Sequence, residues 1–123
     1  DGTVASGAAH LLSLGPEIVV VTLGEHGSYT LTAEGEFFTA PFPVTVVDTT
    51  GAGDVFHGAY LYGLLQGWDL ASTAEFAGAT AALKCTQLGG RAAIPRLPDV
   101  LAFMAGQGRP LAIGIASPAS PDL

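Results

Sequence analysis

Basic residues are scarce in this sequence. Four Lys and Arg stand against eleven Asp and Glu, giving a formal net charge of −7. So sparse a positive set cannot build a phosphate-tracking surface, which excludes nucleic-acid binding. Charged residues total 12% against 49% hydrophobic residues, which excludes a disordered polar chain. Cysteine occurs once, at Cys85. A single thiol excludes an internal disulfide framework and fits a reducing, cytoplasmic compartment. It lies in the apolar helical stretch "GATAALKCTQ" with no clustered histidine, and reads as a small buried side chain. No apolar run approaches the ~18 residues needed to span a bilayer. No basic segment followed by an apolar core marks a signal peptide.

Glycine, by contrast, is abundant: 17 of 123 residues. That number implies many tight turns and close backbone approaches. The length is that of one domain or of part of one. The chain opens on Asp1 and then "ASGAAHLLSLG", which reads as the helix of a βα unit whose strand is absent. The expectation is therefore the C-terminal part of a longer protein.

The patterning alternates strands and helices. "ASGAAHLLSLGPE" has apolar residues at helical spacing, with Gly15-Pro16 as a stop. "IVVVTL" (18–23) is a continuous β-branched run, as in a strand buried on both faces of a parallel sheet. "GEHG" turns the chain into "SYTLTA", where Tyr29 and Leu31 alternate with Ser28, Thr30 and Thr32. Residues 34–35, "EG", suit a hairpin into "EFFTA". "VTVV" (44–47) reads as a further strand. "DVFHGAYLYGLLQG" is apolar nearly all round and reads as a buried helix. Ser72 and Glu75 are spaced as a capping box ahead of "FAGATAALKCT", and "PDVLAFMAG" reads as a short final helix. The expected fold class is α/β, a mostly parallel sheet flanked by helices with one antiparallel hairpin. Residues 1–106 form its nucleotide-binding part, and 107–123, rich in Pro, Ala and Ser, form a disordered tail.

The chemistry concentrates in "VVDTTGAGDVF" (46–56). The Walker pattern needs Gly-Lys-Ser/Thr, which does not occur. The dinucleotide fingerprint needs a third glycine, and Phe56 holds that position. Glu75 lies where a ribose-binding acid belongs, but the capping box explains it better, and the Asp54 charge would oppose a pyrophosphate. A purely structural account makes Asp54 a first-turn carboxylate that offsets exposed N–H groups. That account leaves Gly51-Ala52-Gly53 without a purpose. Small residues there let successive amides approach an anion at a helix mouth. Together the two features suit phosphoryl transfer: the amides hold the moving phosphoryl group, and Asp54 accepts the proton of an attacking alcohol.

"DTTGAGDVFHGAYLYGLL" closely resembles the C-terminal signature of the ribokinase-like (PfkB) carbohydrate kinases. "VTLGEHGSYTL" resembles their nucleotide-binding strand and turn, and "FAGATAALKCTQLGG" the helix and loop that follow. The resemblance runs from about residue 5 to 105. It implies ATP-dependent phosphorylation of a sugar-like hydroxyl, with Mg2+, in the cytoplasm, by a full-length homodimer. It also implies Asp54 as catalytic base, with Gly51, Ala52 and Gly53 as anion hole. Thr22, Gly24 and Gly27 would lie along the nucleotide, and Gly78 near the adenine. Some members of the family bind a monovalent cation such as K+. Its ligands here would be Asp48, the carbonyl of Thr50 and carbonyls near Lys84, Gln87 and Gly89, while a loop-bracing role for Asp48 is an equal alternative. Three departures bear on these contacts and leave Asp54 untouched. His57 stands where Asn is common, Gly78 where Asn or His is frequent, and Ala93 where Ser is frequent. The family's sugar-binding residues, lid and magnesium-associated acidic motif lie outside this sequence, so the sugar is not specified. The competing expectation is a non-catalytic, nucleotide-binding fragment.

Overall fold

The structure is a computed structural model that describes residues 7–10, 13, 15, 17–86 and 95–111. Residues 7–10 are helical, as the opening pattern predicts. Three strands follow: β1 (Ile18–Thr22), β2 (Ser28–Thr32) and β3 (Gly35–Thr39). Three helices come next among the described residues: α1 (Ala52–Gln66), α2 (Leu70–Cys85) and α3 (Leu97–Gly106). No helix among the described residues is long and apolar enough to cross a membrane.

The strands form an antiparallel meander in the order β1-β2-β3. Ile18 pairs with Thr32 and Thr22 with Ser28, while Ser28 pairs with Thr39 and Thr32 with Gly35. The hairpin at 34–35 is the one the sequence predicts. Other expectations differ from what is seen. Among the described residues β1 lies at the edge of the sheet with only Val19 buried, and no parallel pair occurs. In β2 the hydroxyl residues face inward: Ser28 and Thr30 are buried while Tyr29 and Leu31 are half-buried. Buried hydroxyls need partners. Thr30 Oγ1 and Tyr60 OH are both buried without a full hydrogen bond among the described residues. They lie close enough that the Thr30 hydroxyl offsets part of the rise that burial imposes on the Tyr60 phenol.

"VTVV" is not a strand. A strand needs a ladder partner, and the Val47 amide instead donates to Cys85 O at 2.7 Å. The capping box is also replaced. α2 starts at Leu70, one position after Asp69, and the Asp69 carboxylate accepts from Ser72 N at 2.7 Å. Aspartate is among the preferred N-caps. Glu75 is thereby released for a different bond.

That bond is to Arg109, which lies inside the segment expected to be a tail. Arg109 Nε and Nη2 donate to the two Glu75 oxygens at 3.1 and 2.9 Å, and Nη1 and Nη2 donate to Pro41 O and Ala40 O at 2.7 and 2.8 Å. Its guanidinium carbon also sits 3.6 Å from the Phe42 ring centroid. Phe42 in turn joins Phe56, Tyr60, Phe76, Val100 and Met104 in the core between helices and sheet. α1 and α2 pack tightly at Gly63, where a Cβ would meet Thr73 Cγ2 at 2.8 Å. The opposite face of α1 is bare, with Leu61 59% and Leu65 84% exposed. α1 is thus buried on one face only.

Candidate functional site

α1 begins where the chain turns through Gly51. This residue is the helix N-cap in the left-handed region, at φ 77°, a conformation that a β-carbon disfavours. The approach to it is braced. Asp48 Oδ1 accepts from the Thr50 amide at 2.9 Å and from Thr50 Oγ1 at 2.6 Å. The amides of Val47 and Asp48 both donate to Cys85 O, at 2.7 and 3.1 Å. The loop is therefore pinned to the last turn of α2, and Asp48 acts as a brace.

The amides divide unevenly. Ala52 N donates back to Thr49 O at 3.1 Å and Val55 N to Gly51 O at 3.0 Å. Among the described residues, the amides of Gly51, Gly53 and Asp54 donate to nothing. They are orphan donors at the positive end of a 15-residue helix, the arrangement that attracts anions. Of the amides at 51 to 54, that of Ala52 is turned inward, while those of Gly51, Gly53 and Asp54 are left without a partner among the described residues. No side chain caps this helix. Asp54 is exposed in the first turn and makes no hydrogen bond through its side chain among the described residues. His57 Nδ1 lies 2.8 Å from Gly53 O, which steadies the same turn.

Asp54 also stands at the rim of an open, largely apolar cleft of about 440 Å³. The walls include Gly58 and Tyr62 from α1, Phe76 and Thr80 from α2, and Leu97 at the start of α3. Sequence reasoning passed over Tyr62, Phe76 and Thr80. The available signal was spacing: Gly58/Tyr62 and Phe76/Thr80 are each one helical turn apart, so facing helices line one groove.

The other expected positions lie elsewhere. Thr22 ends β1, and Gly24 and Gly27 shape the turn after it, closed by Leu23 N to Gly27 O at 2.8 Å. No hydrogen bond joins that turn to residues 48–54 among the described residues. Gly78 faces the Phe42 ring, whose nearest carbon would be 3.8 Å from an added Cβ, and does not line the cleft. Gln87, Gly89 and Ala93 lie outside the described residues. His26 is an exposed turn residue 3.6 Å from Glu25. Burial pushes the Cys85 thiol up, Lys84 pulls it down, and Asp48 pushes it up further, so Cys85 is no activated nucleophile. No group of three His, Cys, Asp or Glu able to hold a metal ion occurs among the described residues. Of the ligands expected for a monovalent cation, two are already engaged among the described residues. The Lys84 carbonyl accepts from the Thr86 amide, Asp48 Oδ1 is occupied twice by Thr50, and the buried Lys84 side chain brings its own positive charge.

Residues 2–97 match the pfkB family carbohydrate kinase profile. The chain is 38% identical over 84 residues to 5-dehydro-2-deoxygluconokinase of Clostridium perfringens, covering 68% of this chain and 25% of that protein. It is 44% identical over 109 residues to aminoimidazole riboside kinase of Salmonella typhimurium, covering 78% and 34%. Among solved structures it superposes on an E. coli protein designated Ribokinase II, in complex with ATP and Mg2+. The TM-score there is 0.79 at 31% identity, over 83% of this chain and 33% of that one. The chain thus spans a quarter to a third of the proteins it matches, and its fold is ribokinase-like. By the span of that match, the chain belongs to the pfkB family of carbohydrate kinases.

Proposed function

We propose that this chain is the nucleotide-binding and proton-accepting part of an ATP-dependent kinase acting on a hydroxyl of a sugar or sugar-like substrate. The observation that carries this reading is the N-terminal turn of α1. Three uncommitted amides, of Gly51, Gly53 and Asp54, sit beside a carboxylate that caps nothing. A helix that needed only a cap would have spent one on the other.

The amides receive the oxygens of the moving phosphoryl group. Asp54 accepts the proton as the alcohol oxygen forms its bond to phosphorus and the bond to the departing ADP breaks. The cleft beside Asp54, at about 440 Å³, has the size of an ordinary ligand pocket. The neighbour solved with ATP and Mg2+ supports ATP as donor, with Mg2+ neutralising phosphate charge when bound. The described residues contain no cluster to hold that ion. The named relatives act on different sugar-like compounds, so the acceptor is fixed only as a class.

Asp54→Asn tests the reading in a full-length kinase carrying this segment. The amide keeps the size of the carboxylate but cannot take a proton. The expected result is a kcat loss of ~10²–10⁴, with nucleotide affinity and melting temperature near wild type. Retention of more than about a tenth of kcat, short of the usual loss on removing a base, would show that Asp54 is not the base.

A second reading applies to these 123 residues alone, favoured by the exposure of Asp54 and the openness of the cleft. Without closure, water is not excluded and no hydroxyl is positioned. The isolated chain is expected to bind ATP weakly and to phosphorylate no sugar. Turnover of any sugar by the isolated chain at an ordinary kinase rate would refute this.

A further inference from the structure

The last turn of α2 carries a lysine to the back of the glycine loop. Lys84 is 0% exposed and is the largest of the fully buried side chains. Lysine is almost never buried so completely without partners, and Lys84 is engaged by its surroundings. Its Cε lies 3.9 Å from the point where a Cβ on Gly51 would stand, with the ammonium one bond beyond. The backbone ties the loop to the turn that carries Lys84, since the amides of Val47 and Asp48 both donate to O of Cys85, the next residue.

This is the neighbourhood in which a monovalent cation was expected, and among the described residues Asp48 Oδ1 and the Lys84 carbonyl already accept hydrogen bonds. A second positive charge beside a buried ammonium would be repelled strongly at low dielectric. We propose that Lys84 is a positioning residue whose ammonium supplies, from within the chain, the positive charge behind the glycine loop. The amides of Gly51, Gly53 and Asp54 then hold their anion without K+. Lys84 touches no substrate and acts through the backbone of Gly51. The inference rests on reading that loop as an anion hole.

The test is the affinity of the chain for a non-hydrolysable ATP analogue, measured by calorimetry in K+, Na+ and choline chloride at equal ionic strength. Wild type is expected to bind equally in all three. Lys84→Met keeps the length of the side chain and removes the charge. It is expected to bind ~5- to 100-fold more weakly in choline, the usual range for a coupled site, with K+ restoring part of the loss. A merely structural lysine would lower the melting temperature without creating that salt selectivity. Should Lys84→Met fail to fold, the wild-type salt series decides by itself. Strengthening of wild-type binding by K+ of more than about 5-fold, or Lys84→Met binding as wild type does in choline, overturns this proposal alone. No binding by wild type in any salt overturns the anion-hole reading, and this inference with it.

Discussion

Two of the glycine turns in this molecule invite comparison, because their glycines answer to different constraints. In the turn after β1, Gly27 is at φ 99°, and a Cβ there would fall 2.1 Å from Thr39 O and 3.2 Å from Pro41 N. The chain itself fills the space, so the fold alone demands that glycine. At the start of α1, Gly53 has no heavy atom within 4 Å of an added Cβ, and Gly51 has only Lys84 Cε at 3.9 Å. Gly51 is explained by its backbone angle. No contact among the described residues explains Gly53, because the space beside it is empty of them. A glycine enforced from inside reports on folding; one facing open space beside unpaired amides reports on what comes from outside.

Substitutions can break or sharpen that contrast. The largest effect on stability is expected from Gly27→Ala, where positive φ and a backbone clash act together. The loss should be ~3 kcal/mol or more, read from urea unfolding of the chain. A smaller loss would mean that the turn can yield, and the contrast would weaken. Gly53→Ala should act on binding alone. Affinity for a non-hydrolysable ATP analogue should fall about tenfold, ~1.4 kcal/mol, because the methyl group stands where phosphate oxygens approach. The smallest effect, of opposite sign, should come from the same variant without ligand. Alanine within a helix is favoured over glycine by ~0.5–1 kcal/mol, so the melting temperature should rise slightly. A Gly53→Ala protein that binds nucleotide normally would remove the external reason for that glycine.

Elements governed by local chemistry were legible in the sequence. The "EG" hairpin, the "GEHG" turn and the helix after the glycine loop follow from turn residues and periodicity, and all three are present. Asp54 and the loop in front of it stood out in the sequence because an acid behind two glycines is hard to explain by folding alone. Elements that depend on a distant partner were misread. "VTVV" has strand-forming residues, but its amide is claimed by Cys85 O, 38 residues along the chain. Ser72 and Glu75 match a capping pattern, yet Asp69 comes first and leaves Glu75 for Arg109. The apolar residues all round α1 suggested full burial, whereas Leu61 and Leu65 are bare. The inward turn of the Ala52 amide and the burial of Lys84 leave no periodic trace at all.

The Arg109 clamp carries a consequence for the order in which the chain is assembled. Its bonds to Ala40 and Pro41 close a ring of nearly seventy residues, whereas the meander and each helix close over short separations. Long rings lose more entropy on closure than short ones, and contacts distant in sequence form late. The strands and α1–α2 can therefore come together first, with α3 and Arg109 acting as the latch. The latch also marks how far the chain can be trimmed. A cut just after α3, at Gly106, would keep α1 to α3 yet remove the guanidinium that bridges Glu75 of α2, the Ala40 and Pro41 carbonyls and the Phe42 ring. A cut beyond Leu111 would leave that junction whole.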